Sequence, residues 1–152
     1  MSTNPESSPS EQPLPSFEGR RVLLVEDYGL YGVLLHAFKL TGGDLLYSKD
    51  SPVGLQEDPT ALNNYMDEQR LDAVVIHPDK RDHSIDGIEE AHRNGKIIIL
   101  IEGVGVKKGE TEMFERFQSL GIPIVNKLTV GWTNDLLQLL STKFEEKHIG
   151  LV

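Results

Sequence analysis

Glu26 and Asp27 close the apolar run Val22-Leu23-Leu24-Val25. Two adjacent carboxylates in such a place either hold a hard cation, which prefers oxygen ligands, or shift each other's proton affinity. A second group of reactive residues is His77-Pro78-Asp79-Lys80-Arg81-Asp82-His83, with four candidate metal ligands in seven positions. Imidazole with carboxylate suits a transition metal and hydrolysis. Lys80 and Arg81 would sit beside that cation, and the sequence has no second ligand cluster, so a metal-dependent hydrolase is the most remote reading. Lys127 ends another apolar stretch and offers a point charge to an anion. Gly103-Val104-Gly105-Val106-Lys107-Lys108-Gly109 has the glycines of a phosphate loop without its Gly-Lys-Ser/Thr ending, and reads as a plain loop.

These residues need a frame, and the hydrophobic pattern supplies one. A continuous apolar run ended by charge is how a strand buried on both faces of a parallel sheet reads. Arg21 to Val25 is the first such run, followed by Asp44 to Ser48, Ala73 to Ile76, Ile97 to Ile101 and Pro123 to Asn126. Between them lie stretches of helical period. Leu30, Val33, Leu34, Ala37 and Phe38 form the first, stopped by Gly42-Gly43. Pro59 to Gln69 buries Leu62, Tyr65 and Met66, and Ile85 to Asn94 leaves room for a short helix. Met113, Phe117 and Leu120 form the fourth stripe, ended by Gly121. Leu136, Leu137, Leu140 and Phe144 form the last, with Thr133 or Asn134 as its N-cap. The alternation predicts an α/β fold, a doubly wound five-stranded parallel sheet in a flavodoxin-like three-layer sandwich. In such sheets ligands gather at the carboxyl ends of the strands, where Glu26 and Asp27 fall.

The totals restrict function. The chain of 152 residues carries a net charge of −9, and 21 acids against 15 bases remain after the first nineteen residues. An acidic domain repels phosphate backbones, so nucleic-acid binding is not expected. There is no cysteine, which excludes disulfides and thiolate chemistry and agrees with a reducing, cytoplasmic location. No apolar stretch approaches a membrane span and no signal sequence is visible. Residues 1–18 read as a disordered tail, holding four of the eight prolines among Ser, Glu and Gln, and residues 19–152 as the folded domain.

Taken in order, Val25-Glu26-Asp27 after the first strand, Asp86-Gly87 after the third and Lys127 after the fifth resemble the receiver domain of bacterial response regulators (CheY-like), over about residues 20–147. The resemblance implies that Glu26 and Asp27 hold Mg²⁺ and that an aspartate at the end of the third strand accepts a phosphoryl group from a histidine kinase. Lys127 would contact the phosphoryl oxygens. A cation is needed because a carboxylate nucleophile and a phosphate repel each other. The acceptor position falls on His77 when counted from Asp72 and the strand, and on Asp79 when counted back eight residues from Gly87. The complete run Ala73 to Ile76 favours His77, and Pro78 marks the end of the strand.

Other positions depart from the family pattern. Glu102 stands where a Thr or Ser senses the phosphoryl group, and its carboxylate would repel one. Ile124 replaces the aromatic switch residue, and Leu128 the cis-proline after the lysine. These departures resemble an atypical pseudo-receiver, a non-enzymatic signalling module that acts through a protein partner, whether a histidine kinase or another signalling protein. The alternative is an active Mg²⁺-dependent phosphoacceptor of a two-component phosphorelay, with Asp79 as nucleophile, Glu26, Asp27 and the Arg81 carbonyl at the metal, and Lys127 on phosphate. Phe114, Val130 and Trp132, on or near the fourth and fifth helices, mark the surface where receivers meet partners or dimerise. Trp132 is the member of that set expected to stay exposed.

Overall fold

Each expected strand forms, and their lengths follow the apolar runs. The structure is a computed structural model that describes residues 14–25, 28–48, 59–77, 85–102 and 110–148, with backbone alone for residues 28–30, 85, 110 and 111. The strands are β1 (Arg21–Val25), β2 (Asp44–Ser48), β3 (Ala73–Ile76), β4 (Ile97–Glu102) and β5 (Ile124–Asn126). The helices are α1 (Tyr28–Thr41), α2 (Ala61–Glu68), α3 (Ile85–Arg93), α4 (Glu110–Ser119) and α5 (Trp132–His148). Sheet order is β2-β1-β3-β4-β5, with all neighbours parallel. This is the flavodoxin-like order, and its direction reverses between β1 and β3.

Strand alternation divides the core into two layers. Val22 and Leu24, Ala73 and Val75, and Ile97, Ile99 and Ile101 face α1 and α5, where they meet Leu34, Phe38, Leu136, Leu137, Leu140 and Phe144. Leu23 and Val25, Val74 and Ile76, and Ile98 and Leu100 face α2, α3 and α4, where they meet Leu62, Met66, Ile88, Met113 and Phe117. Side chains of successive strand residues point to opposite faces, so a run apolar at every position is what a two-faced sheet requires. Each buried aliphatic side chain is worth about 1.5–3 kcal/mol against its exposed state.

Several sequence expectations shift in detail. Phe17, assigned to the tail, is 1% exposed. Its N–H donates to the Thr41 carbonyl, and its ring meets those of Phe38 and Phe144 at 5.5 and 5.4 Å. The packed part therefore starts before residue 18. Helix α5 begins at Trp132, ahead of Thr133 and Asn134, because Gly131 adopts φ 82° and the Trp132 N–H closes a turn on the Thr129 carbonyl. Val33 is exposed, since α1 packs along its Leu34–Phe38 row, and Leu120 lies beyond the end of α4 and is also exposed. Gly42 ends α1 at φ 80°, as a C-terminal glycine should.

Candidate functional site at the carboxyl edge

The ladder registers set the geometry of the carboxyl edge. Val25 pairs with Ile76, Ile76 with Leu100, Leu100 with Ile124 and Glu102 with Asn126. The residues that follow these pairs therefore arrive at one rim. His77 comes directly after β3, Glu102 closes β4, and Lys127 comes directly after β5. Of the other expected site residues, Glu26, Asp27 and Asp79 lie outside the described residues, as do 78–83 and 103–109. Among the described residues no group of three His, Asp or Glu side chains could hold a metal ion.

Hydrogen bonds tie the rim together from β1 to β5. The His77 N–H donates to the Val25 carbonyl at 3.1 Å, extending the β1–β3 ladder by one residue. The half-buried imidazole then reaches the neighbouring strand, where Nδ1 lies 2.9 Å from the Ile101 carbonyl oxygen. A carbonyl can only accept, so Nδ1 carries the proton in this contact. The Lys127 N–H donates to the Glu102 carbonyl at 2.9 Å and so joins β4 to the start of the last loop.

That loop has its own local logic. The Asn126 side-chain oxygen accepts from the Leu128 N–H at 2.8 Å, and its backbone carbonyl accepts from the Thr129 N–H at 3.1 Å. An asparagine opening a four-residue turn in this way is an Asx-turn. It bends the chain after Lys127 with trans peptides, where the receiver pattern uses a cis-proline. Sequence reasoning passed over Asn126, although an Asn two residues before the bend is a readable turn signal.

The expected partner surface sorts differently. Phe114 is buried against the layer of α2 to α4, and Trp132 is half-buried against the opposite layer. Trp132 opens α5 on its inward side, so the expectation that it stays exposed does not hold. Val130, at 98% exposure, is the member that faces solvent, with Leu128 exposed beside it. Ile124 is partly buried against the α2–α4 layer.

A clamp that the sequence did not announce joins α3 to α4. Both carboxylate oxygens of the buried Glu89 on α3 meet the Arg116 guanidinium from α4, through Nη2 at 2.7 Å and through Nε. Asp86 lies 3.3 Å from the same Nη2. The Glu89 hydrogen bond, foremost, raises the proton affinity of Arg116. The pair joins residues 27 apart on separate helices, so no periodicity within either could signal it.

No family model matches the chain, and no curated protein matches it. Solved structures do. A signal receiver domain from Vibrio parahaemolyticus superposes with a TM-score of 0.60 at 14% identity, over 86% of this chain and 97% of that one. The signal receiver domain of an HD domain-containing protein from Pseudomonas fluorescens Pf-5 gives 0.59 at 14% identity, over 91% and 95%. A response regulator receiver domain protein from Clostridium thermocellum gives 0.56 at 14% identity, over 86% and 98%. Together with the strand order and the helical crossovers on both faces, these matches establish a receiver-like fold that spans nearly the full length of each neighbour.

Proposed function

We propose that this chain is a receiver-like signalling module that works through protein contact and has no phosphorylation switch. The observation that carries this reading is the His77 imidazole at the end of β3, bonded through Nδ1 to the Ile101 carbonyl. A phosphoacceptor carboxylate would be needed at that place, and the imidazole instead joins two strands. Glu102 and Ile124 support the same reading, because a carboxylate repels a phosphoryl group and an aliphatic side chain offers no aromatic switch. Exposed Leu128 and Val130 supply apolar surface for a partner protein beside α5. Treatment with acetyl phosphate and Mg²⁺ followed by intact-mass measurement tests the proposal. An unmodified mass is expected, and a stoichiometric phosphoryl adduct contradicts it.

The placement of Lys127 favours one second reading. It follows β5 at the rim that β1 also reaches, as a lysine serving a phosphoacceptor would. In that reading Asp79 is the nucleophile, Glu26 and Asp27 hold Mg²⁺, and the ion offsets the charge of the incoming phosphate. An adduct present in the wild type and absent from Asp79→Asn would select it.

A further inference from the structure

We propose that two adjoining pockets at the amino-terminal edge of the sheet, opposite the rim described above, act together as the two lobes of a site that binds a small phosphate monoester with a hydroxylated body. One lobe, of about 210 Å³, is lined by Arg20, Asp72, Lys96, Lys147 and His148. The other, of about 280 Å³, is lined by Ser16, Ser141 and Glu145. The lobes share Arg20, Phe144 and His148.

The first lobe sets three permanent cations against one carboxylate, in a chain whose net charge is −9. That carboxylate, Asp72, already accepts the Arg21 N–H through Oδ2 at 2.7 Å. Its Oδ1 lies 3.6 Å from Arg20, an ionic contact too long for a hydrogen bond. Among the described residues, no hydrogen bond uses the donors of the Arg20 guanidinium, which is stacked 4.6 Å over the Phe144 ring. Phe17 in turn holds Phe144 edge-on. Stacking fixes the guanidinium plane before any ligand arrives, which lowers the ordering cost of binding. Lys96 has only 18% of its side chain exposed and is steadied by Asp67, and Lys147 reaches the Gly95 carbonyl at 3.1 Å.

The shape of the charge selects the anion. A single arginine matches a planar carboxylate bidentately, whereas cations arriving from just ahead of β1, just ahead of β4 and the end of α5 suit a tetrahedral dianion. Lysine serves phosphate as a point charge in such sites. The second lobe offers the hydroxyls of Ser16 and Ser141 to a neutral polar body. Its Glu145 carboxylate repels a second anionic group.

Amide chemical shifts of the full chain, followed during titration with ribose 5-phosphate, ribose and orthophosphate, test the proposal. Ribose 5-phosphate should give saturable shifts confined to residues near Ser16, Gly95 to Ile97 and Glu145 to His148. Ribose should give none, and orthophosphate should bind more weakly. Arg20→Gln should weaken ribose 5-phosphate about tenfold. Lys147→Gln, which removes a single exposed contact to the Gly95 carbonyl, should weaken it in the same direction. Absence of saturation overturns the proposal, as do shifts that Lys147→Gln leaves unchanged, or orthophosphate binding as tightly as the sugar phosphate.

Discussion

At the residue scale, the proposed loss of a phosphoacceptor at the end of β3 rests on His77. Its ring bonds to the Ile101 carbonyl, so removing the ring leaves a half-buried acceptor without that donor. His77→Ala should lower stability by about 1–2 kcal/mol, read from the urea midpoint at constant slope. An unchanged midpoint would show that the imidazole joins nothing. Gly43 matters at the same scale for a different reason. A Cβ there would lie 2.9 Å from the Phe17 Cβ and 3.1 Å from the Phe38 ring. Gly43→Ala should cost about 1–3 kcal/mol by overpacking, measured in the same way. The pair Gly42-Gly43 is legible in sequence as a helix stop, and Gly42 plays that part. The second glycine's task, letting the Phe17 side chain pass close to the backbone, depends on a contact 26 residues away and leaves no local trace.

The elements were far more legible than the contacts between them. Ala73 to Ile76 and Ile97 to Ile101 are strands because a short, β-branched run with an aliphatic residue at every position suits a strand covered on both faces. Leu136, Leu137, Leu140 and Phe144 fix the inner side of α5 in the same direct way. What the pattern could not reveal is how helices are held to one another across loops. The Glu89–Arg116 clamp between α3 and α4 is the main case, and its consequence can be measured. Arg116→Leu leaves the Glu89 carboxylate buried beside apolar neighbours, so the thermal midpoint should fall. Adding Glu89→Leu should recover part of the loss, since a buried charge without its partner is worse than none. Equal midpoints for the single and double variants would show that the two side chains are not coupled.

At the scale of the whole molecule, Phe17 shows that packing reaches back ahead of residue 18. A boundary drawn from composition falls after residue 18, because proline, serine and glutamate dominate up to that point. A single aromatic among polar residues carries too little weight to move such a boundary. Phe17 is nonetheless packed between Phe38 and Phe144, and Phe17→Ala should cost about 3–5 kcal/mol, with a matching fall in the urea midpoint. A loss below about 1 kcal/mol would return Phe17 to the tail. The carboxyl rim was legible only in outline. Its strand ends and Lys127 could be read from apolar runs, whereas the reach of His77 to Ile101 and the Asn126 turn depend on the sheet being assembled. The most direct measurement is an amide spectrum of the intact chain titrated with beryllofluoride and Mg²⁺, which together mimic a phosphorylated aspartate. No saturable shift is expected around His77, Glu102 and Lys127. A saturable shift there that Asp79→Asn abolishes would contradict the proposal that the chain has no phosphorylation switch.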